Sequence, residues 1–372
     1  MNNKKVGILT FSYSSNPGSV LQAYALQRVL SDQLMCDAHI INYHKEEAGK
    51  PKLGKNVFYG PLRNWTPKNI VKWIARIMEY PSRMRPYKRF FKKYYDGYPT
   101  KRCLREELGS LESIYDKFVV GSDQVWNFNS GNVDETFLLD FVKDDSKKVS
   151  YAASFGNSEI PADKREVASE LLSKFHSISV RESSGIDIVL ELTKRSATLV
   201  LDPSLLLEKE QYLSMSKPPK QKNYVLLYLR EECKELEAVA RSFADSKGLE
   251  FVKILKHRKC LKNGTPGGAI SPHEWLGYMS NSSYVFTNSF HGICFSIIFE
   301  RQFFVDLLRA NRSETNPRMQ SVLALFGLDT RLISGNPNEI ENIDYEMVNL
   351  RKAEMQKESL EYLRRSIEQE EL

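Results

Sequence analysis

Short apolar segments that alternate with longer amphipathic segments constrain the fold of this chain most strongly. Strand-like runs lie at residues 6–10, 38–43, 115–120, 148–155, 178–180 and 199–201, and the alternation resumes at residues 224–229. A tight turn joins only antiparallel strands, whereas parallel strands need a crossover that is usually a helix. The pattern therefore predicts an α/β fold with parallel sheets, built in two successive runs.

A segment with the composition of a linker separates the two runs. Residues 214–223 read SMSKPPKQKN, and the length of 372 residues exceeds the usual size of one domain. We predict an N-terminal α/β domain over residues 1–210, a C-terminal α/β domain over 211–340 and a long charged helix within 341–372. Two such Rossmann-like domains would face each other across a cleft.

Composition and cysteine spacing exclude several classes of protein. Hydrophobic residues make up 41% and charged residues 27% of the chain, as in ordinary globular proteins. The five cysteines are scattered and never spaced as CxxC, so neither a disulfide framework nor a zinc site is indicated. The first residues run directly into a strand pattern, and no apolar run has the length of a membrane span. We therefore expect a cytoplasmic protein.

One segment carries the basic charge of the chain. Residues 50–102 contain fifteen Lys and Arg against two acids, a net +13, so the remainder carries −7 of the total +6. Aromatic residues are interleaved with these cations, and amphipathic helices are predicted at residues 70–80 and 87–95. The pattern suits an anionic membrane surface or a lipid-linked acceptor, or else an inserted helical hairpin with a solvated face. Peripheral attachment at the inner face of the membrane is thus one expectation, and nucleic acid is not an expected partner.

The strongest local signal is the run YVFTNSFHGICFSIIFE at residues 284–300. A strand pattern meets the polar break at residues 287–289, and the apolar segment that follows has the length of a buried helix. The first turn of a helix has unpaired N–H groups, which attract an anion. His291 would lie at that anion, and Gly292 would let the backbone approach it closely. The alternative is a structural histidine in a strand-to-helix turn.

Another strand end presents a set of polar side chains. The strand at residues 115–120 leads into GSDQVWN, which places Asp123 at the carboxyl edge of the predicted sheet. Asp123 alone would also be explained as a helix cap. A tryptophan beside amide side chains suits stacking on a sugar and hydrogen bonding to it. Gln124, Trp126 and Asn127 are therefore candidates for binding a sugar.

These stretches together resemble the polysaccharide pyruvyl transferase family. The matching pieces are GSDQVWN at residues 121–127, SYAASFG at 150–156, SVRE at 179–182, LDPS at 201–204 and TNSFHG at 287–292, with residues 6–30 and 316–328. They span nearly the whole chain in order, and the basic segment matches poorly. The resemblance implies a fold similar to glycosyltransferases of the GT-B kind. It also implies transfer of the enolpyruvyl unit of phosphoenolpyruvate onto two hydroxyls of one sugar, which yields a cyclic pyruvate ketal and phosphate.

The resemblance also assigns roles to single residues. His291 corresponds to the cleft histidine of the family, and Arg181 to the arginine that meets the donor. Without the resemblance, Arg181 and Glu182 are equally well explained as an ordinary ion pair on the surface. Many members place a second arginine two residues before the histidine, where this chain has Ser289. Another branch of the family resembles this chain in having Ser-Phe-His.

The expected reaction needs a proton donor, a base and groups that hold two anions. We expect His291 to donate a proton or to hold the departing phosphate, and Asp123 to act as the base for an acceptor hydroxyl. Donor binding is expected from Arg181, Asn288, Ser289 and Gly292. Acceptor binding is expected from Gln124, Trp126 and Asn127.

Phosphoenolpyruvate is expected as co-substrate, with no cofactor and no metal, and a saccharide or lipid-linked oligosaccharide as acceptor. Two other functions fit the same architecture. One is a GT-B glycosyltransferase that uses a nucleotide sugar. The other is a catalytically silent glycan-binding protein of polysaccharide assembly, which the serine at position 289 favours.

Overall fold

The computed structural model describes residues 3–44, 67–97, 102–129, 134–256, 258–260, 266–307 and 316–368. For residues 67–79, 266 and 267 it describes the backbone only. Residues 50–66 and 98–101 of the basic segment therefore lie outside the described ranges, as do the last four residues of the predicted C-terminal helix.

The first half of the chain forms a parallel sheet. Its strands are β1 (Lys5–Leu9), β2 (Asp37–Ile40), β3 (Lys117–Val120) and β4 (Lys148–Ser150), in the order β2-β1-β3-β4. A parallel pair, β5 (Ser179–Val180) and β6 (Thr198–Leu199), continues the sheet beyond β4 through single bridges. The helices of this half are α1 (Pro17–Arg28), α2 (Pro67–Tyr94), α3 (Arg105–Leu108), α4 (Arg165–Ser173), α5 (Ser183–Thr193) and α6 (Lys209–Met215).

The second half forms a six-stranded sheet in the order β10-β9-β8-β7-β11-β12. Its elements are β7 (Tyr224–Leu229), α7 (Lys234–Ser246), β8 (Glu250–Leu255), β9 (Arg258–Cys260), β10 (Pro266–Ala269), α8 (Pro272–Asn281), β11 (Tyr284–Thr287), α9 (Phe290–Ile298), β12 (Gln302–Val305), α10 (Pro317–Phe326) and α11 (Tyr345–Glu368). All six residues of β7 are buried, as in a central parallel strand covered on both faces.

The α/β architecture with two main sheets and a long C-terminal helix, expected from the sequence, is confirmed. The sheets are parallel as predicted, except at one edge of the second sheet, where β9 and β10 are antiparallel. The connection from β8 to β9 is too short for a crossover helix, so the chain turns back as a hairpin. The domain bounds at residues 210 and 340 stay predictions.

The structure has one helix, α2, where the sequence predicted two helices at residues 70–80 and 87–95. It runs through Pro81 and Pro86 without a break between residues 67 and 94. Its buried face, formed by Met84, Tyr87, Phe90 and Phe91, packs into the hydrophobic core. Two internal prolines remove backbone hydrogen bonds, and this packing offsets their cost. Among the described helices, α3, α5 and α6 were not predicted. Helix α3 has only four residues, α5 opens with Ser-Ser-Gly, and α6 overlaps the linker-like segment.

The C-terminal helix α11 joins the two halves. Near its start, Asn349 Nδ2 donates to Glu300 Oε1 in the second half at 2.9 Å. Near its end, Tyr362 Oη donates to the carbonyl of Ser150 in the first half at 2.9 Å. None of the helices within the described ranges combines the length and the apolar character needed to cross a membrane.

Two leucines of α11 give a matched test of this packing. Leu363 is fully buried, whereas Leu350 is 61% exposed. We expect Leu363→Ala to lower the free energy of unfolding by about 2–5 kcal/mol, because it leaves a cavity in the core. Leu350→Ala should change it by about 0.5 kcal/mol or less. Urea unfolding of both variants measures the difference, and equal effects would contradict the packing of α11 described above.

Candidate active site

The carboxyl ends of strands from both halves meet at one place. The loop after β3, the residues after β5 and β6, and the N-terminus of α1 come from the first half, and the first turn of α9 comes from the second. A Cβ on Gly18 of α1 would overlap the ring of His291 in α9, so glycine at this position lets the two halves touch. Sequence reasoning placed these strand ends at sheet edges, and the structure brings them together.

Asp202 is the centre of the hydrogen-bond network at this place. Its Oδ2 accepts from Ser122 Oγ at 2.7 Å and from Arg181 Nη1 at 3.0 Å. Its Oδ1 accepts from the backbone N–H of Ser204 at 3.0 Å and from the Ser204 hydroxyl at 2.6 Å. Asp202 was not among the predicted site residues, although LDPS is one of the matching motifs. Sequence reasoning missed it because an aspartate before a proline is common in turns. Its charge partner Arg181 also lies 21 residues earlier in the chain, at the end of another strand.

Arg181 is buried, which excludes a surface Arg-Glu pair. Its guanidinium lies over the ring of Phe290 at 4.0 Å from the ring centroid. Nη1 bonds to Asp202 and to Ser122. Nε forms a long ion pair with Glu182 Oε2 at 3.9 Å, but neither Nε nor Nη2 has a hydrogen-bond partner among the described residues. A buried donor without a partner costs free energy, so these two N–H groups are available to an anionic ligand.

His291 lies in the first turn of α9 and is buried. Its Nε2 is 3.9 Å from Asp202 Oδ2 and has no hydrogen-bond partner within the described part of the chain. Burial lowers the pKa of His291 to about 4, with Arg181 and Arg318 lowering it further against the opposing charges of Asp202 and Asp123. The imidazole is therefore neutral at pH 7 in the ligand-free protein.

Asp123 is held in an unusual backbone conformation beside His291. Its φ is +78°, a left-handed value that a non-glycine residue rarely adopts and that is frequent at functional sites. Its Oδ2 accepts from Ser19 Oγ at 2.5 Å, and its Oδ1 from the N–H of Gln124 at 2.9 Å. Burial alone raises the pKa of Asp123, but His291, Arg181 and the bond from Ser19 outweigh burial and lower it to about 2.

Two more arginines surround the cluster. Arg318, half-buried in the first turn of α10, acts electrostatically on Asp123 and Arg181, and burial together with Arg181 lowers its pKa to about 10. Arg230 follows β7 and contributes a further charge near Arg318. Arg318 lies within a matching stretch, but nothing in the sequence pointed to Arg230. In the described ranges, His, Cys, Asp and Glu side chains form no group of three or more that could hold a metal ion.

The residues expected to bind the acceptor are placed differently. Trp126 is fully buried, packs edge-on against Phe175 and donates its indole N–H to the carbonyl of Phe137 at 2.8 Å. A ring without an open face cannot stack on a sugar, so the expected role of Trp126 in acceptor binding is corrected to one in the core. Asn127 Oδ1 accepts from Asn157 Nδ2 at 3.1 Å and shapes a loop.

Gln124 is the acceptor candidate that keeps an unused polar group. Its Nε2 is buried and lacks a hydrogen-bond partner among the described residues. A Cβ on Gly156 would overlap this amide, and Gly156 has a φ of +73°, so only glycine fits beside it. Acceptor binding by Gln124 stays a prediction.

Three expected donor-binding residues have structural contacts of their own. Asn288 uses both ends of its amide to hold the loop after β7, accepting from the N–H of Arg230 at 2.8 Å and donating to the carbonyl of Glu231 at 2.9 Å. Ser289 caps α9 through its hydroxyl, which accepts from the N–H of Gly292 at 3.3 Å. A Cβ on Gly292 would overlap Thr287 Oγ1, so glycine lets the helix start close to the end of the strand. These contacts position the helix of His291, and donor binding by Asn288, Ser289 and Gly292 stays a prediction.

Comparisons with known proteins bear on the family. A family model described as polysaccharide pyruvyl transferase matches residues 16–305, which is most of the chain. No curated protein matches the chain.

Solved structures that match this chain do so with low sequence identity and low TM-scores. The UDP-GlcNAc 2-epimerase of Methanocaldococcus jannaschii, in complex with UDP-GlcNAc and UDP, has a TM-score of 0.43 and 11% identity over 95% of this chain and 92% of that one. A putative UDP-N-acetylglucosamine 2-epimerase from Listeria monocytogenes has a TM-score of 0.45 and 11% identity over 98% and 91%. T4 phage BGT in complex with UDP and Mn²⁺ has a TM-score of 0.38 and 12% identity over 98% and 100%. The family assignment therefore comes from the family model alone.

The lowered pKa of His291 predicts how stability depends on pH. The unfolded chain binds a proton at this residue near pH 6.5, the folded chain only near pH 4, so unfolding takes up a proton between these values. Stability from this residue falls as the pH drops from 7 to 5, by about 2 kcal/mol. We expect the wild type to lose that much more than His291→Gln in urea unfolding at the two pH values. Equal losses would show that the imidazole is not held neutral.

Proposed function

The chain belongs to the polysaccharide pyruvyl transferase family, and from this premise we propose that it transfers the enolpyruvyl group of phosphoenolpyruvate to a sugar. The acceptor is a saccharide of a surface or lipid-linked glycan, and the product is a cyclic pyruvate ketal. The observation that supports the donor is the buried Arg181, whose Nε and Nη2 lack partners among the described residues beside the unpaired Nε2 of His291. Clustered N–H donors at one buried place suit a small ligand with several negative charges.

The reaction balances with two acceptor hydroxyls. The methylene carbon of phosphoenolpyruvate takes up one proton and becomes a methyl group, and the neighbouring carbon becomes electrophilic. One sugar hydroxyl adds to that carbon, phosphate leaves, and the second hydroxyl closes the ketal ring. The two hydroxyl protons end on the methyl group and on phosphate, so the reaction needs no oxidant or reductant.

His291 and Asp123 supply the proton transfers in this proposal. A bound anion raises the pKa of a nearby imidazole, because it stabilises the charged form. Donor binding thus converts neutral His291 into a proton donor, or into a cation that holds the departing phosphate. The same anion offsets the cations that keep the pKa of Asp123 at about 2, which makes this carboxylate a better base for the acceptor hydroxyl.

Helix α2 offers a cationic face to an acceptor of the proposed class. Arg85, Lys88, Arg89 and Lys92 are exposed and spaced three or four residues apart, so they share one side of the helix. Its large aromatic residues Tyr87, Phe90 and Phe91 are buried, so they do not insert into a membrane. We propose that this face attracts an anionic lipid surface or a lipid-diphosphate acceptor, which places the enzyme at the inner face of the membrane.

Vesicle sedimentation tests the role of this face. We expect binding to vesicles that contain anionic phospholipid to fall by about tenfold or more when these four residues are changed to Gln, since each charge near the surface adds about 1 kcal/mol. Binding should also weaken with added salt. Vesicles of zwitterionic lipid are the control, and salt-insensitive or absent binding by the wild type would contradict the proposal.

Calorimetric titration with phosphoenolpyruvate tests the donor. We expect saturable binding that Arg181→Ala and His291→Ala each weaken by about tenfold or more, because each removes a partner of the anion. His273→Ala, another histidine of the second half, is the control and should leave binding unchanged. Thermal unfolding of each variant checks that it is folded.

Parallel titrations with UDP and CMP distinguish the rival functions. Binding of a nucleotide in place of phosphoenolpyruvate would support a glycosyltransferase that uses a nucleotide sugar. Binding of none of the three would contradict the proposed donor and favour a silent glycan-binding protein.

A further inference from the structure

Two buried tyrosine hydroxyls lie beside the active-site cluster without a hydrogen-bond partner. Tyr87 comes from α2 and Tyr228 from β7, and both side chains are fully buried. Neither hydroxyl makes a hydrogen bond of normal geometry to a residue that the structure describes, although the Tyr228 hydroxyl interacts with the nearby hydroxyl of Ser289. Other buried tyrosines do have one: Tyr224, on the same strand as Tyr228, donates to the carbonyl of Tyr278 at 2.8 Å.

The two hydroxyls belong to one electrostatic neighbourhood with Arg230. Burial raises the pKa of Tyr87, the proximity of Tyr228 adds to the rise, and Arg230 and Arg83 oppose it. Burial likewise raises the pKa of Tyr228, against the charge of Arg230 and the hydroxyl of Ser289. Tyr87 thus interacts electrostatically with both Tyr228 and Arg230, and it packs into the same hydrophobic core as Tyr228.

This region adjoins His291. Tyr228 pairs in register with Thr287 of β11, and Ser289, two residues further on, caps the helix that carries His291. The backbone N–H of Arg230 is tied to Asn288 at 2.8 Å. Tyr228 and Arg230 thus belong to the second half of the chain, whereas Arg181 and Tyr87 belong to the first.

Unsatisfied buried hydroxyls are uncommon because each costs free energy in the folded protein. A pair of them next to a guanidinium, at the edge of a candidate active site, is the donor set that an anionic oxygen needs. An internal water held by the two tyrosines is the competing explanation.

We propose that Tyr87, Tyr228 and Arg230 form the subsite for the carboxylate of the donor. This inference rests on the proposed function. Phosphoenolpyruvate has two anionic ends with different charges. The phosphate, with the larger charge, suits the cations Arg181, Arg318 and His291. The carboxylate, with one charge spread over two oxygens, suits two hydroxyl donors and one guanidinium. The helix of the basic segment thereby contributes to the donor site itself.

We expect substitution of either tyrosine by phenylalanine to preserve or raise stability and to weaken donor binding. Tyr87→Phe and Tyr228→Phe each remove an unsatisfied hydroxyl, so the free protein should melt at the same temperature or higher. Each should weaken phosphoenolpyruvate binding by about tenfold, because a hydrogen bond to a charged group is lost. Binding of inorganic phosphate, which has no carboxylate, should not change. Calorimetric titration and thermal unfolding provide both readouts.

Tyr224→Phe is the matched control on the same strand. It removes a hydroxyl that already has a partner, so the melting temperature should fall while phosphoenolpyruvate binding stays the same. A merely structural role for Tyr87 and Tyr228 would reproduce this control result.

The outcomes separate the inference from the function on which it rests. Unchanged phosphoenolpyruvate binding in both phenylalanine variants, with normal binding by the wild type, overturns the carboxylate subsite alone and favours an internal water. Equal loss of phosphate and phosphoenolpyruvate binding also overturns it, because the subsite would then not be specific for the carboxylate. Absence of phosphoenolpyruvate binding by the wild type overturns the proposed function and this subsite together.

Discussion

The buried ion pair between Arg181 and Asp202 connects the segments that build the candidate site. Moving a charge out of water costs several kcal/mol, so a buried guanidinium is stable only when a carboxylate and hydrogen bonds compensate it. Asp202 does so from the turn after β6, and Ser122, after β3, bonds to both partners. The pair thus fixes three strand ends relative to one another. It also compensates Arg181 incompletely, because two N–H groups of the guanidinium keep no partner among the described residues.

Burial is the main reason why the histidine is neutral. Arg181 and Arg318 act in the same direction, against the opposing charges of Asp202 and Asp123. The same cations keep Asp123 ionised. A site arranged in this way gains most when an anion enters, since the ligand relieves repulsion among the arginines and favours the protonated imidazole at the same time. In the reaction that we propose, the donor itself would thus make His291 competent for proton transfer.

Helix α2 has two different faces with separate consequences. Its aromatic face, with Tyr87, packs into the core, whereas its basic face is exposed. The basic segment at residues 50–102, which matches the family poorly, thus contributes α2 to the hydrophobic core of the protein. From residue 80 to residue 97, where side chains are described, the interleaving of basic and aromatic residues follows the helical period of these two faces.

The sequence by itself determined the α/β class, the two successive sheets and the strand-turn-helix around His291. These depend on the order of apolar and polar residues within a few positions, which sets local structure directly. It also indicated Arg181 and Asp123, because strand ends at one sheet edge collect polar side chains. Only the tertiary structure decided that Trp126 is a core residue, that Asn288 and Gly292 position the helix of His291, and that Asp202 compensates Arg181. It alone showed that Tyr87 and Tyr228 are buried in the same core. Burial and the choice of partner depend on residues far apart in the chain, and no local pattern records which of them will meet.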